Sequence, residues 1–321
     1  MRDAFVAALA EVAATDPRVI LVTGDLGFGV LDAFERRFPG RLLNAGVAEQ
    51  SMTAIATGLA LEGHVAFTYS IANFTTLRCL EQIRNDACYH EANVNIVSVG
   101  GGLSYGPLGP THHATEDLAV MRALPGMVVF APNEDWEVDQ GLRTLVAHPG
   151  PTYTRLDRAS VNLSAARDEP FALGRARLLR DGEDIALVTC GGMASEALRA
   201  ANRLLREHGL TARVLSMHTI KPLDVEAVIA AARATGGIVT IEEHSEIGGL
   251  AAAVAETLLS RGAPPRRFAR IALPAAFSTV VGGQAYLRRR YGLDADAIAD
   301  RVLELLHAGD PVSRRAARFA C

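Results

Sequence analysis

No CxxC pair or other metal-ligand spacing links the four cysteines, Cys79, Cys88, Cys190 and Cys321. Their scatter argues against a zinc module or a disulfide framework and fits a reduced, cytoplasmic protein. There is no basic run, and the net charge is −4. Neither nucleic acid nor an anionic membrane surface is therefore an expected partner. No apolar run approaches the roughly 18 residues that a membrane-spanning helix needs. The N-terminal segment MRDAFVAALAEVAATDPRV carries Asp3 and Glu11 where a signal peptide would be continuously apolar. Phosphate-binding glycine fingerprints are absent as well. Gly24-Asp25-Leu26-Gly27-Phe28-Gly29 fits neither GxGxxG nor GxxxxGKS/T and reads as a tight turn. Fixed-period repeats and low-complexity segments are missing too.

What is present is a rich α/β pattern. With 321 residues, 49% of them hydrophobic and 21% charged, the chain can bury two cores of ordinary size. After an amphipathic first helix, Arg18 to Thr23 is a continuous β-branched run, as expected of a strand covered on both faces. Further strand candidates are Leu42-Leu43, His64 to Tyr69, Val94 to Val99 and Met127 to Ala131, with helices at 52–61, 74–89, 115–123 and 134–147 between them. This alternation predicts a mostly parallel sheet flanked by helices. The pattern weakens between about Asn162 and Gly182. A second series then follows, with strands at 184–190, 211–216, 237–242 and near 268–272, and helices at 194–208, 224–234, 248–260 and 295–306. The fold class is α/β, with two consecutive α/β domains: residues 1–165, a linker at 166–182, and a smaller domain at 183–321.

The chain is organised around Arg41 to Met52, where a short apolar strand, Asn44-Ala45-Gly46 and Glu49 lead into a small-residue helix. A carboxylate at a strand-to-helix turn is favoured by the helix dipole. It can either cap that helix or face a cleft.

Several segments recur in a familiar order: Gly46-Val47-Ala48-Glu49-Gln50; Phe74 with Arg78 and Glu81-Gln82-Ile83-Arg84; Gly109-Pro110-Thr111-His112; Leu124-Pro125-Gly126-Met127 with Ala131-Pro132; and Thr152-Tyr153-Thr154-Arg155. Together they resemble the pyrimidine-binding domain of thiamine-diphosphate enzymes of the transketolase family. DIALVTCGGMASEAL, VLSMHTIKPLD and EEHSEIGGL resemble that family's C-terminal domain, so the likeness covers nearly the whole chain.

The resemblance implies roles for particular residues. Glu49 matches the glutamate that bonds the cofactor's pyrimidine ring and promotes its imino tautomer, which takes the thiazolium proton. Phe74 matches the aromatic that packs on that ring. Arg78 belongs to the same cofactor-binding segment, and Ile71 stands where a second family aromatic is expected. His112 matches the substrate-facing histidine, which can hydrogen-bond a carbonyl or hydroxyl. The His112-His113 pair does not suggest metal, because adjacent residues rarely converge on one ion. Arg155 matches an arginine that grips a substrate phosphate; an interdomain salt bridge is the alternative. Two departures bear on the substrate. Leu108 replaces an aspartate, and Gly100 replaces a phosphate-contacting histidine, which puts the usual phosphorylated ketose and aldose pair in doubt.

The family holds the diphosphate through a divalent cation bound by a Gly-Asp-Gly motif in a separate domain, and this chain contains no Gly-Asp-Gly. The resemblance therefore implies the C-terminal subunit of a split transketolase. A separate N-terminal diphosphate-binding subunit would hold Mg2+ or Ca2+ and share thiamine diphosphate in an α2β2 assembly. Self-dimerisation is compatible with this. The expected reaction is C–C cleavage of a ketose or 2-oxo acid and transfer of a two-carbon unit to an aldehyde-type acceptor. A 2-oxo acid dehydrogenase beta subunit and a non-catalytic scaffold of the same fold are the alternatives. Gly-Pro-Thr-His and EEHSEIGGL favour transketolase, or the related deoxyxylulose-phosphate synthase, over the dehydrogenase.

Overall fold

A computed structural model describes residues 1–163 and 170–307. Two sheets organise them. The first contains β1 (Val19–Thr23), β2 (Leu42–Asn44), β3 (Val65–Ile71), β4 (Val94–Val99), β5 (Val128–Phe130) and β6 (Thr152–Leu156). The second contains β7 (Arg177–Arg180), β8 (Ile185–Thr189), β9 (Ala212–Ser216), β11 (Ile238–Ser245) and β12 (Phe268–Leu273), while β10 (Thr219–Lys221) joins the first. The spatial orders are β10-β5-β6-β4-β3-β1-β2 and β12-β11-β8-β9-β7. All pairings are parallel except β10 on β5 and β7 on β9.

The first sheet is buried on both faces because its strands alternate their side chains between two cores. Val19 and Leu21 of β1, Phe67 and Tyr69 of β3, and Val97 and Val99 of β4 face the core built with Phe5, Leu9 and Phe34. Ile20, Val22, Ala66, Val94 and Ile96 face the other way. That second core runs on without a break into Ala186, Val188, Leu215, Ile220 and Val254 of the following domain.

The two α/β units are thus packed through shared core and shared sheet. Polar groups seal the junction: buried Asn133 donates to the Thr189 carbonyl at 3.2 Å and to Ser216 Oγ at 2.8 Å. Arg177 pairs with Glu134 at 2.8 Å and Glu137 at 2.6 Å.

The observed elements differ from the expected ones in instructive ways. Thr152–Leu156, Arg177–Arg180 and Thr219–Lys221 are strands that periodicity did not reveal. The last two are short and sit at sheet edges, where pairing to a neighbour outweighs local pattern. The helix expected over 74–89 is broken into short helical turns and a π-helical stretch, Ile83–Cys88. Such breaks recur at functional sites. Helices Asp32–Arg37 and Gln284–Arg290 had no counterpart in the reading of the sequence. No helix among the described residues is long and apolar enough to cross a membrane. Cys79, Cys88 and Cys190 are buried free thiols, and Cys321 lies outside the described residues. Burial pushes the thiols of Cys79 and Cys88 up to about 11, which keeps them protonated.

Candidate active site

In the first sheet β1 lies between β2 and β3. The chain steps from β1 to β2 on one side and returns to β3 on the other. Loops leaving the carboxyl ends of β2 and β3 therefore diverge around β1, and open α/β sheets hold ligands in such a crevice. Glu49 follows β2, and Phe74 and Arg78 follow β3. Topology thus brings them to the same end of the sheet, on either side of β1.

Glu49 opens the helix Glu49–Leu61, three residues earlier than the expected start at Met52. It is only 2% exposed, so its carboxylate is shielded from solvent. Gly24, at the end of β1, allows this approach: a Cβ there would lie 3.2 Å from Glu49 Cγ. Arg78 Nη1 donates to Glu49 Oε2 at 2.8 Å. The same guanidinium lies 5.0 Å from the centroid of the Phe74 ring. Phe74 in turn meets the His112 ring edge-on at 5.4 Å, and Thr111 Oγ1 lies 3.0 Å from His112 Nδ1. Glu49, Arg78, Phe74 and His112 form one continuous series of contacts. Ile71 is half-buried at the last position of β3, adjoining the short helix that carries Phe74.

Asn73 holds the loop that presents His112. Its side-chain amide donates to the carbonyls of His113 at 2.6 Å and Thr111 at 3.3 Å. Gly109 adopts φ +78°, a backbone conformation that suits glycine, at the start of the Gly-Pro-Thr-His segment. Leu108, 53% exposed, stands in the helical turn just before it.

Two residues lay outside the reading of the sequence. Tyr105 is half-buried with its ring centroid 6.4 Å from that of His112, and the Arg158 guanidinium lies 5.7 Å from the centroid of the Tyr105 ring. Burial raises the Tyr105 phenol above its usual range, so it remains a neutral donor. A lone aromatic within the glycine-rich run from Gly100 to Gly109 was the available signal.

Arg155 departs from the expected phosphate contact. It is fully buried in β6, with Nε 2.9 Å from Asp117 Oδ2 and Nη2 donating to the carbonyls of Glu243 at 2.7 Å and Ala114 at 3.2 Å. Its charge partner Asp117 lies in the same domain, the Glu243 carbonyl lies across the junction, and Nη1 has no hydrogen-bond partner among the described residues. The EEHSEIGGL segment does similar work. Glu242 caps the helix Leu250–Ser260 through the amides of Leu250 at 2.7 Å and Ala251 at 2.8 Å, and Glu243 accepts from the Leu103 amide at 2.5 Å. Among the described residues no group of three or more His, Cys, Asp or Glu side chains is placed to hold a metal ion.

Comparison with known proteins agrees with this architecture. The family profile for the transketolase pyrimidine-binding domain matches residues 1–163, and that for the transketolase C-terminal domain matches residues 174–298. The chain is 39% identical over 307 residues to one of the subunits of the apulose-4-phosphate transketolase of Phocaeicola vulgatus, an alignment covering 95% of this chain and 97% of that protein. It is 38% identical over 300 residues to the 6-deoxy-6-sulfo-D-fructose transketolase subunit SqwH of Clostridium sp. strain MSTE9, covering 93% and 92%. A solved split-gene transketolase, described as an inactive β4 tetramer, superposes with a TM-score of 0.84 at 36% identity over 95% of this chain and 97% of that one. Sheet order, cleft and near full-length similarity lead to one conclusion: this chain belongs to the transketolase family, as a pyrimidine-binding and C-terminal domain pair of the kind found in split transketolase subunits.

Proposed function

We propose that this chain forms half of a thiamine-diphosphate site in a transketolase-like transferase. The other half, with the diphosphate and its Mg2+ or Ca2+, belongs to a separate diphosphate-binding subunit in an α2β2 assembly. The observation that carries this reading is the Arg78 guanidinium, which is held at once by the Glu49 carboxylate and the Phe74 ring. A flat nitrogenous group already satisfies both contacts, and an aminopyrimidine offers the same two features, a ring nitrogen for the carboxylate and a face for the aromatic. The residues present therefore fit the cofactor's pyrimidine end.

Thiamine diphosphate, when bound, supplies the nucleophilic carbon for C–C cleavage and carries the two-carbon unit. The protein's part is acid–base control and placement. Glu49, buried and at a helix N-terminus, holds or releases a proton at the pyrimidine ring nitrogen. Phe74 would hold the face of the ring, with Ile71 beside it at the end of β3. Arg78 must turn aside to admit the ring; at 49% side-chain exposure it has room to do so. His112, steadied by Thr111 and Phe74, donates to the carbonyl or alkoxide oxygen of a sugar or 2-oxo acid substrate. Replacing His112 with alanine is expected to lower kcat by about 10²-fold in the assembled enzyme; an undiminished kcat would remove His112 from the chemistry.

The test of the shared site is calorimetric titration of thiamine diphosphate and magnesium into this chain alone, and then into its mixture with the candidate diphosphate-binding subunit. Tight binding is expected only in the mixture. Tight binding to the lone chain would overturn the division of the site. The solved relative described as an inactive β4 tetramer supports the expectation that this chain by itself self-associates without activity.

A further inference from the structure

Position 100 directly follows the last residue of β4, Val99. Gly100 is buried at φ +92°, a conformation few residues besides glycine adopt, and a Cβ built on it would overlap Cδ2 and Cε2 of Tyr105. The tyrosine ring therefore fills the volume that a side chain at position 100 would take. The ring lies 6.4 Å from His112 on one side and 5.7 Å from the Arg158 guanidinium on another. Leu108, exposed in the intervening turn, adds an apolar surface.

We propose that Tyr105 is a specificity-determining residue that shortens the substrate channel beyond His112. It selects short-chain aldehyde acceptors over long sugar phosphates. The inference rests on the reading of Glu49 and His112 given above. It goes further in naming the wall of the site and the class of acceptor that fits inside it. A ring that replaces a side chain from the strand end is fixed in place, because its packing partner is the backbone of Gly100 itself. A long acceptor therefore meets a surface that does not yield. Removing the ring opens the space while Thr111 and Phe74 still hold His112.

Two measurements test this. In the assembled enzyme, with hydroxypyruvate as donor, the ratio of kcat/KM for D-ribose 5-phosphate over that for glycolaldehyde is compared between wild type and Tyr105→Leu. The ratio is expected to rise about tenfold or more, carried chiefly by KM for the longer acceptor, as for other pocket-volume changes. An unchanged or falling ratio would overturn the proposal.

The second measurement uses no activity. Thermal unfolding of this chain is followed for Gly100→Ala, Tyr105→Leu and the double variant. Gly100→Ala is expected to cost less stability in the Tyr105→Leu background, since leucine has no Cε2 to overlap and its Cδ methyls can rotate away. Equal costs in both backgrounds would show that Tyr105 does not occupy that volume. If wild-type complex consumes no hydroxypyruvate at all, the catalytic reading fails, while the stability cycle still decides the packing.

Discussion

Glu49→Gln in the assembled enzyme is expected to reduce turnover by about 10²-fold or more, the usual consequence of losing a positioned acid–base group. The substitution is nearly isosteric, and glutamine can still accept a hydrogen bond from Arg78, so the packing of the helix Glu49–Leu61 should be preserved. What is lost is the capacity to exchange a proton at a site that solvent does not reach, since Glu49 is 2% exposed. Steady-state turnover and calorimetric cofactor binding should therefore separate, with a large fall in the first and a far smaller change in the second. Turnover within about a factor of two of wild type would sink the catalytic reading and favour a scaffold that merely retains the fold. That alternative predicts no special need for a carboxylate at the cleft.

Arg155→Met should strike stability instead. Its guanidinium and the Asp117 carboxylate are 0% and 1% exposed, and the Tyr153 hydroxyl donates to the same carboxylate at 2.5 Å. Taking away the cation leaves a buried carboxylate without its countercharge, a change that costs about 3–5 kcal/mol. It also strips the carbonyls of Ala114 and Glu243 of their donor. Lysine should rescue only in part, because one ammonium does not reproduce a planar fork that meets three acceptors. Chemical denaturation checks this directly. A substrate-phosphate role predicts the opposite pattern, with KM raised and stability untouched.

How much of this was legible in the sequence depended on the kind of signal. The β-branched runs of β1, β3 and β4 and the apolar spacing of the long helices come from burial on a regular lattice, and they could be read directly. Glu49, Phe74 and His112 were found because short motifs fixed them, and Arg78 links the first two and Phe74 the third in one series of contacts. Arg155 looked equally motif-like, yet whether a guanidinium faces substrate or a buried carboxylate depends on Asp117 and Glu243, far away in sequence. Tyr105 escaped notice because its role depends on what Gly100 lacks, and no residue-by-residue pattern records a shared volume. The strands β7 and β10 were missed because short edge strands owe their form to a neighbour.

That last strand carries a consequence for how the chain can be divided. Thr219–Lys221 pairs antiparallel with β5, so a segment encoded within the second α/β unit completes the sheet of the first. Sequence modules and structural modules consequently do not coincide here. A fragment ending near residue 165 would keep every residue proposed for the cleft, yet expose β5 as a bare edge that invites pairing with another chain. The protein is better regarded as one interlaced body, in which the distal half acts as the clasp for the proximal one. Grafting the pyrimidine-binding half onto a different C-terminal partner would succeed only if that partner brought its own strand to close the seam.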